Sequence, residues 1–271
     1  MLCEFELWFL PSNLRAASER AASLLKSINY DVLYLNVPHE LSWLVNELAL
    51  GAPYENFIEE IERLNILRES IVSWEYRFKP IFLAIRGLKS RRPGSEIICY
   101  RSSVLENQLI RVAEEVAAMI LRVNISGKVD VEEWRRILSE ITLQNSKLIN
   151  DESSYIFETW IRFHRGRRAI CILDYPARSL VSKARRLGIR AALRYIYTPY
   201  YFTPLELLVR ELAIAEERKL NISDERVRKL VKMHAEFIRN YILTSADYDE
   251  AYFKWLMDGH YKQYCQETLV V

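Results

Sequence analysis

The stretch from Arg167 to Tyr197, RRAICILDYPARSLVSKARRLGIRAALRYIY, constrains the fold more than any other part of the chain. Ala169–Leu173 is a short unbroken apolar run, the pattern of a strand buried on both faces. Asp174, Tyr175 and Pro176 stop it. Residues 177–187 then carry Leu180, Val181, Ala184 and Leu187 at helical spacing, with Arg178, Lys183, Arg185 and Arg186 elsewhere on the helix. Gly188 falls where a helix C-terminus favours a left-handed residue. Ile189–Tyr197 is apolar and aromatic again. Strand, turn, helix and strand make a βαβ unit, so the two strands are expected to be parallel neighbours joined by a right-handed crossover. Ligands of open parallel sheets sit beyond the carboxyl ends of the strands, and Asp174 and Tyr175 fall there.

The N-terminal part repeats the pattern. Residues 2–10 read as a strand. Ser12 stands where a cap would open a helix over 13–28, and DVLYLNV at 31–37 is the second strand. SEIICY at 95–100 is a third strand, followed by a capping-box pattern at Ser103 and Glu106. Asp130 with Glu133, Thr203-Pro204-Leu205-Glu206, and Ser223 mark further helix starts. The expected fold is α/β: a mainly parallel sheet of about five strands flanked by helices. Residues 1–200 form the core, 102–164 a helical insertion, and 201–271 a helical C-terminal part.

Composition narrows the function classes. Half of the 271 residues are apolar, which supports a large core and argues against disorder. Net charge is only +2, so the whole molecule is no polyanion binder. Charge is nevertheless uneven. Arg162 to Arg194 holds ten Lys/Arg and one acid, Asp174, whereas Glu40 to Glu69 holds seven Glu against Arg63 and Arg68. The basic segment suits an anionic partner, and the acidic one suits an internal counterweight to it. Scarce glycine, 7 residues, and abundant Arg and Glu suit short loops and ion-pair networks, a thermophile pattern. Cys3, Cys99, Cys171 and Cys265 are too widely spaced for a zinc ribbon and read as buried thiols, with a disulfide as the alternative. No stretch suits a membrane span or a signal peptide, so the cytoplasm is the expected location.

No glycine-rich phosphate loop, HExxH or GxSxG is present, and the four histidines show no metal-ligand spacing. No cofactor and no metal are expected. The catalytic candidates are polar residues at strand ends: Asp174, Tyr175, Asn36 and His39, with Ser12, Asn13, Tyr100 and Arg101 beside them. Asp174 is the one carboxylate in that set, so acid–base chemistry would need a partner such as Glu75. The structural alternative is that Asp174 caps the helix after it and Asn36 satisfies loop amides. Arg165, Arg167, Arg168, Lys183, Arg185, Arg186, Arg190 and Arg194 form a candidate phosphate-contacting patch, and Tyr195, Tyr197, Tyr200, Tyr201 and Phe202 are rings that could stack on bases. The alternative there is a solvated helix face, ion pairs to the acidic segment, and rings packed in a core.

The order of VLYLNVPHEL, FKPIFLAIRGL before SEIICY, and the late ETWIRFHRGRRAICILDYPARSLVSKARRLGI resembles the TraB / ChaN / erythromycin-esterase-like superfamily over roughly residues 1–195. Its enzymatic members carry GxxH after the first strand, where this chain has Leu10, Pro11, Ser12 and Asn13. Asn36 stands where the family has an acid, and Asp174, Tyr175, Pro176 and Ala177 stand where it has a late histidine motif. The resemblance therefore implies a diverged member without the catalytic ligands. Three readings stand. One is a non-catalytic scaffold with a protein partner. The second is a nucleic-acid-binding component of a defence or information-processing complex, using the 162–194 stretch. The third is a hydrolase acting at the strand ends. Oligomeric state is left open.

Overall fold

The computed structural model describes residues 4–67, 69–175 and 178–262. The chain divides into two compact units, residues 1–107 with 148–198, and residues 108–147 with 199–271. The expected insertion is thus shared. Residues 108–147 group with the C-terminal helices, and residues 148–164 belong with the sheet.

In the first unit the strands are β1 (Phe5–Phe9), β2 (Val32–Pro38), β3 (Glu96–Arg101), β4 (Ala169–Leu173) and β5 (Ala191–Tyr195). They form one all-parallel sheet in the order β3-β2-β4-β1-β5. The fold is α/β. Hydrophobicity explains the order. AICIL of β4 and VLYLNVP of β2 are buried at every position and lie inside, while β3 and β5 carry the exposed residues and form the edges.

The order corrects one expectation. β4 and β5 are parallel but not neighbours, because β1 lies between them, and β4 likewise separates β1 from β2. Both of these crossovers skip one strand, whereas β2 and β3 are neighbours. The connection from β1 leads one way across the sheet and that from β4 leads the other. The crevice between the carboxyl ends of β1 and β4 is therefore a topological switch point.

Both sheet faces are covered. On one, Phe5, Leu7, Val32, Tyr34, Tyr100, Cys171 and Leu173 pack with Ile156, Phe157 and Trp160 and with Leu180 and Ala184. The first three of those partners come from the end of α7 (Val131–Thr159) and the π-helical turn Trp160–His164, and the other two from α8 (Arg178–Arg186). The alternate strand residues Trp8, Leu33, Leu35, Ile170 and Ile172 are as fully buried. The unit also holds α1 (Arg15–Ser27), which packs on α4 (Ile71–Ile85), and the short helices α2 (Ser42–Leu50), α3 (Tyr54–Leu64) and α5 (Leu88–Arg91).

The second unit contains most of α6 (Ser103–Ser126), the first part of α7, and α9 (Pro204–Arg218), α10 (Asp224–Asn240) and α11 (Tyr248–Met257). Its helix starts follow the sequence signals. Thr203 and Glu206 form a complete capping box at α9. Ser223 accepts the Arg226 N–H at 3.2 Å, and Asp130 accepts the Glu133 N–H at 3.1 Å. Ser12 does not cap α1. Leu14 holds that position without a side-chain bond, and Pro11 begins the turn before it. The helix that Asp130 and Glu133 open, α7, runs unbroken for 29 residues. Cys99 and Cys171 are buried free thiols, while Cys3, Cys265, Pro176 and Ala177 lie outside the described residues.

Candidate functional site

Two of the strand-end residues, Arg101 and Asp174, converge, but on each other. Arg101 ends β3 and is 7% exposed. Its guanidinium reaches past β2 to the end of β4, where Nη1 donates to Asp174 Oδ2 at 2.8 Å and Nη2 donates to Oδ1 at 2.7 Å. This is a bidentate fork, the strongest geometry for an arginine–carboxylate pair. Nε donates to Glu152 Oε1 at 3.1 Å. Glu152 projects from the last turns of α7 and is only 2% exposed. Beside it, Tyr100 Oη donates to the Ile172 carbonyl at 2.6 Å and ties β3 to β4 directly.

The electrostatics follow from burial and pairing. Burial works to raise the Asp174 carboxyl, but the Arg101 charge and its hydrogen bonds outweigh it and hold Asp174 below the usual carboxylate range. Burial pushes Glu152 up to about 7; the Arg101 charge offsets part of that rise and the Asp174 charge adds to it. Burial also opposes the Arg101 charge, yet Asp174 and Glu152 together raise its pKa further. One arginine is thus fully matched by Asp174, and Glu152 is the surplus acid. Glu152 Oε2 and the Tyr175 hydroxyl are both buried without a well-formed hydrogen bond, though the hydroxyl still moderates the rise of Glu152.

The cleft beside this cluster is lined by Ser12, Asn36, Arg77, Phe78, Ile172 and Asp174, and its volume is about 20 Å³. That is room for a water molecule, not for a substrate. Asn36 faces it with a buried Oδ1 lacking a protein partner. His39 lies apart, with Nδ1 3.2 Å from the Arg101 carbonyl and the ring largely in solvent. Glu75 does not assist Asp174, since it pairs with Lys79 at 2.6 Å. Asp174 turns both carboxylate oxygens to Arg101, and the residues just before α8, where it would act as a cap, lie outside the described residues. Among the described residues, no group of three His, Cys, Asp or Glu lies close enough to hold a metal ion.

Glu152 is the residue that sequence reading misses. Its signal is its place on the buried stripe of α7, one turn after Leu148 and one before Ile156, where a charge is costly unless it is paired. Arg101 stood among the strand-end residues, but nothing in its neighbourhood of the chain announces two acids 51 and 73 residues away.

The basic stretch is largely consumed within the first unit, and its counter-ions are not the expected ones. Arg167 pairs with Glu96, Arg190 with Glu4, and Arg168 with Glu6 at 2.9 Å. Arg194 lies 3.7 Å from Glu6 and over the Trp8 ring. Lys183 donates to Ser153 and Ser154 of α7. No acid between Glu40 and Glu69 pairs with this stretch among the described residues, because Glu60 and Glu69 hold Arg63 and Arg77 instead. Arg165, Arg185 and Arg186 remain exposed and without an ion pair among the described residues. The aromatic segment is also engaged. Tyr195 packs edge-on against Phe9, Tyr200 stacks on Tyr252 at 5.5 Å, and Tyr201 lies 4.1 Å from Tyr261.

No helix of the described residues is long and apolar enough to cross a membrane. No protein-family model, no curated protein and no solved structure matches the chain.

Proposed function

We propose that the protein is a non-catalytic interaction protein of the cytoplasm, built on a degenerate hydrolase-like α/β fold of the TraB / ChaN / erythromycin-esterase-like type. One observation carries this reading: the Arg101 fork holds Asp174 at the edge of the crevice where a sheet of this topology would bind its ligand, and the cleft left there is only about 20 Å³. A catalytic carboxylate must reach a substrate within hydrogen-bond distance. Asp174 instead spends both oxygens on Arg101, and Glu152, whose raised pKa suits a general acid, is sealed behind it. The cluster acts as an internal brace between β3, β4 and α7. What is left for function is the outer surface, where a protein partner is the expected ligand.

The test is turnover of ester, phosphoester and peptide substrates by the wild type and by Asp174→Asn. The expected result is no turnover by either. Hydrolysis by the wild type that disappears in Asp174→Asn would overturn the reading.

A further inference from the structure

The two edges of the sheet differ in what they expose. Edge strand β3 buries Ile97, Cys99, Tyr100 and Arg101. Edge strand β5 hydrogen-bonds to β1 alone, exposes Ala192, Arg194 and Tyr195, and half-buries Ala191 and Leu193. Its backbone directions are fixed by its partner. The Phe5 N–H donates to the Arg190 carbonyl and the Ile196 N–H donates to the Phe9 carbonyl. Residues 190 and 196 therefore face β1, and by alternation Leu193 and Tyr195 direct their N–H and C=O groups away from the sheet.

Proteins guard such edges with proline, lysine or bulges. AALRY contains no proline or lysine, and its register with β1 is unbroken. Arg190 and Arg194, the charges that would repel a visitor, are drawn back to Glu4 and Glu6.

We propose that β5 pairs with β5 of a second copy of this chain, antiparallel about a two-fold axis at Leu193, so that two five-stranded sheets become one. The sequence of the strand is self-complementary in this register and in no neighbouring one. With the axis at Leu193, Arg194 of each copy stands opposite Ala192 of the other, Tyr195 stands opposite Ala191, and Leu193 meets its own copy, so the arginine and the tyrosine each face an alanine across an apolar centre. An axis at Ala192 would set Arg194 against Arg190, and an axis at Arg194 would set that arginine against its own copy. Like charges directly opposite destabilise a strand pair. Leu187, at the helix end leading into β5, and Tyr195 are each nearly half exposed, at 46% and 43%, and give the contact an apolar margin.

A five-residue edge buries less than a stable interface of about 1,000 Å² needs, so the dimer is weak and reversible. The inference does not rest on the reading of the strand-end crevice, and either can fail alone.

Sedimentation of the wild type from about 1 to about 300 μM should show the dimer forming. Ala192→Arg places its new charge beside Glu6 within its own sheet, so the monomer keeps its fold, but opposite Arg194 across the axis. It should weaken association about fivefold or more. Leu193→Cys should close an intermolecular disulfide under mild oxidation, because a hydrogen-bonded pair on the axis has Cα atoms about 5.5 Å apart. Ala191→Cys should not, its counterpart being Tyr195. A monomer at every concentration overturns the proposal. So does a dimer that Ala192→Arg leaves unchanged, or equal cross-linking at 191 and 193. If Ala192→Arg fails to fold, as judged by circular dichroism, the two cysteine variants decide alone.

Discussion

Glu152 in the first unit is buried and Glu206 in the second is half-buried, and both are pushed up in pKa by their loss of solvent. They are accommodated in opposite ways. Glu152 meets a charge, Arg101, already committed to Asp174. Glu206 meets only neutral donors: the Thr203 N–H at 2.8 Å, the Thr203 hydroxyl at 2.9 Å and the Tyr200 hydroxyl at 2.9 Å. A carboxylate held by neutral donors can be weakened one bond at a time. A buried ion cluster is all or nothing, because removal of its single cation strands two acids in a low-dielectric interior.

The largest expected effect therefore belongs to Arg101→Met. It leaves Asp174 and Glu152 facing each other, buried and unpaired, and should cost about 3–5 kcal/mol in denaturant unfolding. Similar stability in the variant would show that the fork is not a brace.

The same comparison predicts a pH signature. The folded pKa of Glu152, about 7, lies above its unfolded value of 4.5, so the folded state holds this proton more tightly. Its contribution to stability is complete below 4.5 and is lost as pH rises through about 7. Glu152→Gln should remove this part of the pH dependence, raising relative stability at pH 8 against pH 5 in thermal unfolding. An unchanged pH profile would mean that Glu152 is already ionised in the fold.

Glu206→Ala should be milder, about 1–2 kcal/mol, since it removes one side of a capping box. Hydrogen exchange should place the loss in the first turn of α9, and a loss spread into the sheet would contradict the local account. Smallest of all, Arg185→Ala and Arg186→Ala should change unfolding by less than about 0.5 kcal/mol, because neither side chain has a partner among the described residues.

The contrast also explains what was legible in the sequence. The Glu206 box lies within four residues, Thr203 to Glu206, and the chain spells it out. The strands were legible for the same reason, because an apolar run such as AICIL reports its own burial. Strand order was not. Nothing local says that β1 enters between β4 and β5, and assuming adjacent crossovers placed those two strands side by side. The fork and its second acid were hidden likewise, since three charges from three elements meet only after the sheet is assembled. The counter-ions of the basic stretch follow from the sheet too: Glu4, Glu6 and Glu96 lie beside it in space, while the richer 40–69 segment, though closer in composition, does not.

The most direct test of the closed crevice is thermal unfolding with candidate ligands: magnesium, manganese and zinc ions, inorganic phosphate, nucleotides and small carboxylic acids. A ligand at about 100 times its dissociation constant stabilises a fold by about 2.7 kcal/mol, a shift of several degrees in a chain of this size. With Arg101 and Asp174 closed on each other, the wild type should melt at the same temperature with and without each of them. A shift of several degrees that vanishes in Asp174→Asn would show that the crevice opens to a ligand, and would contradict the account.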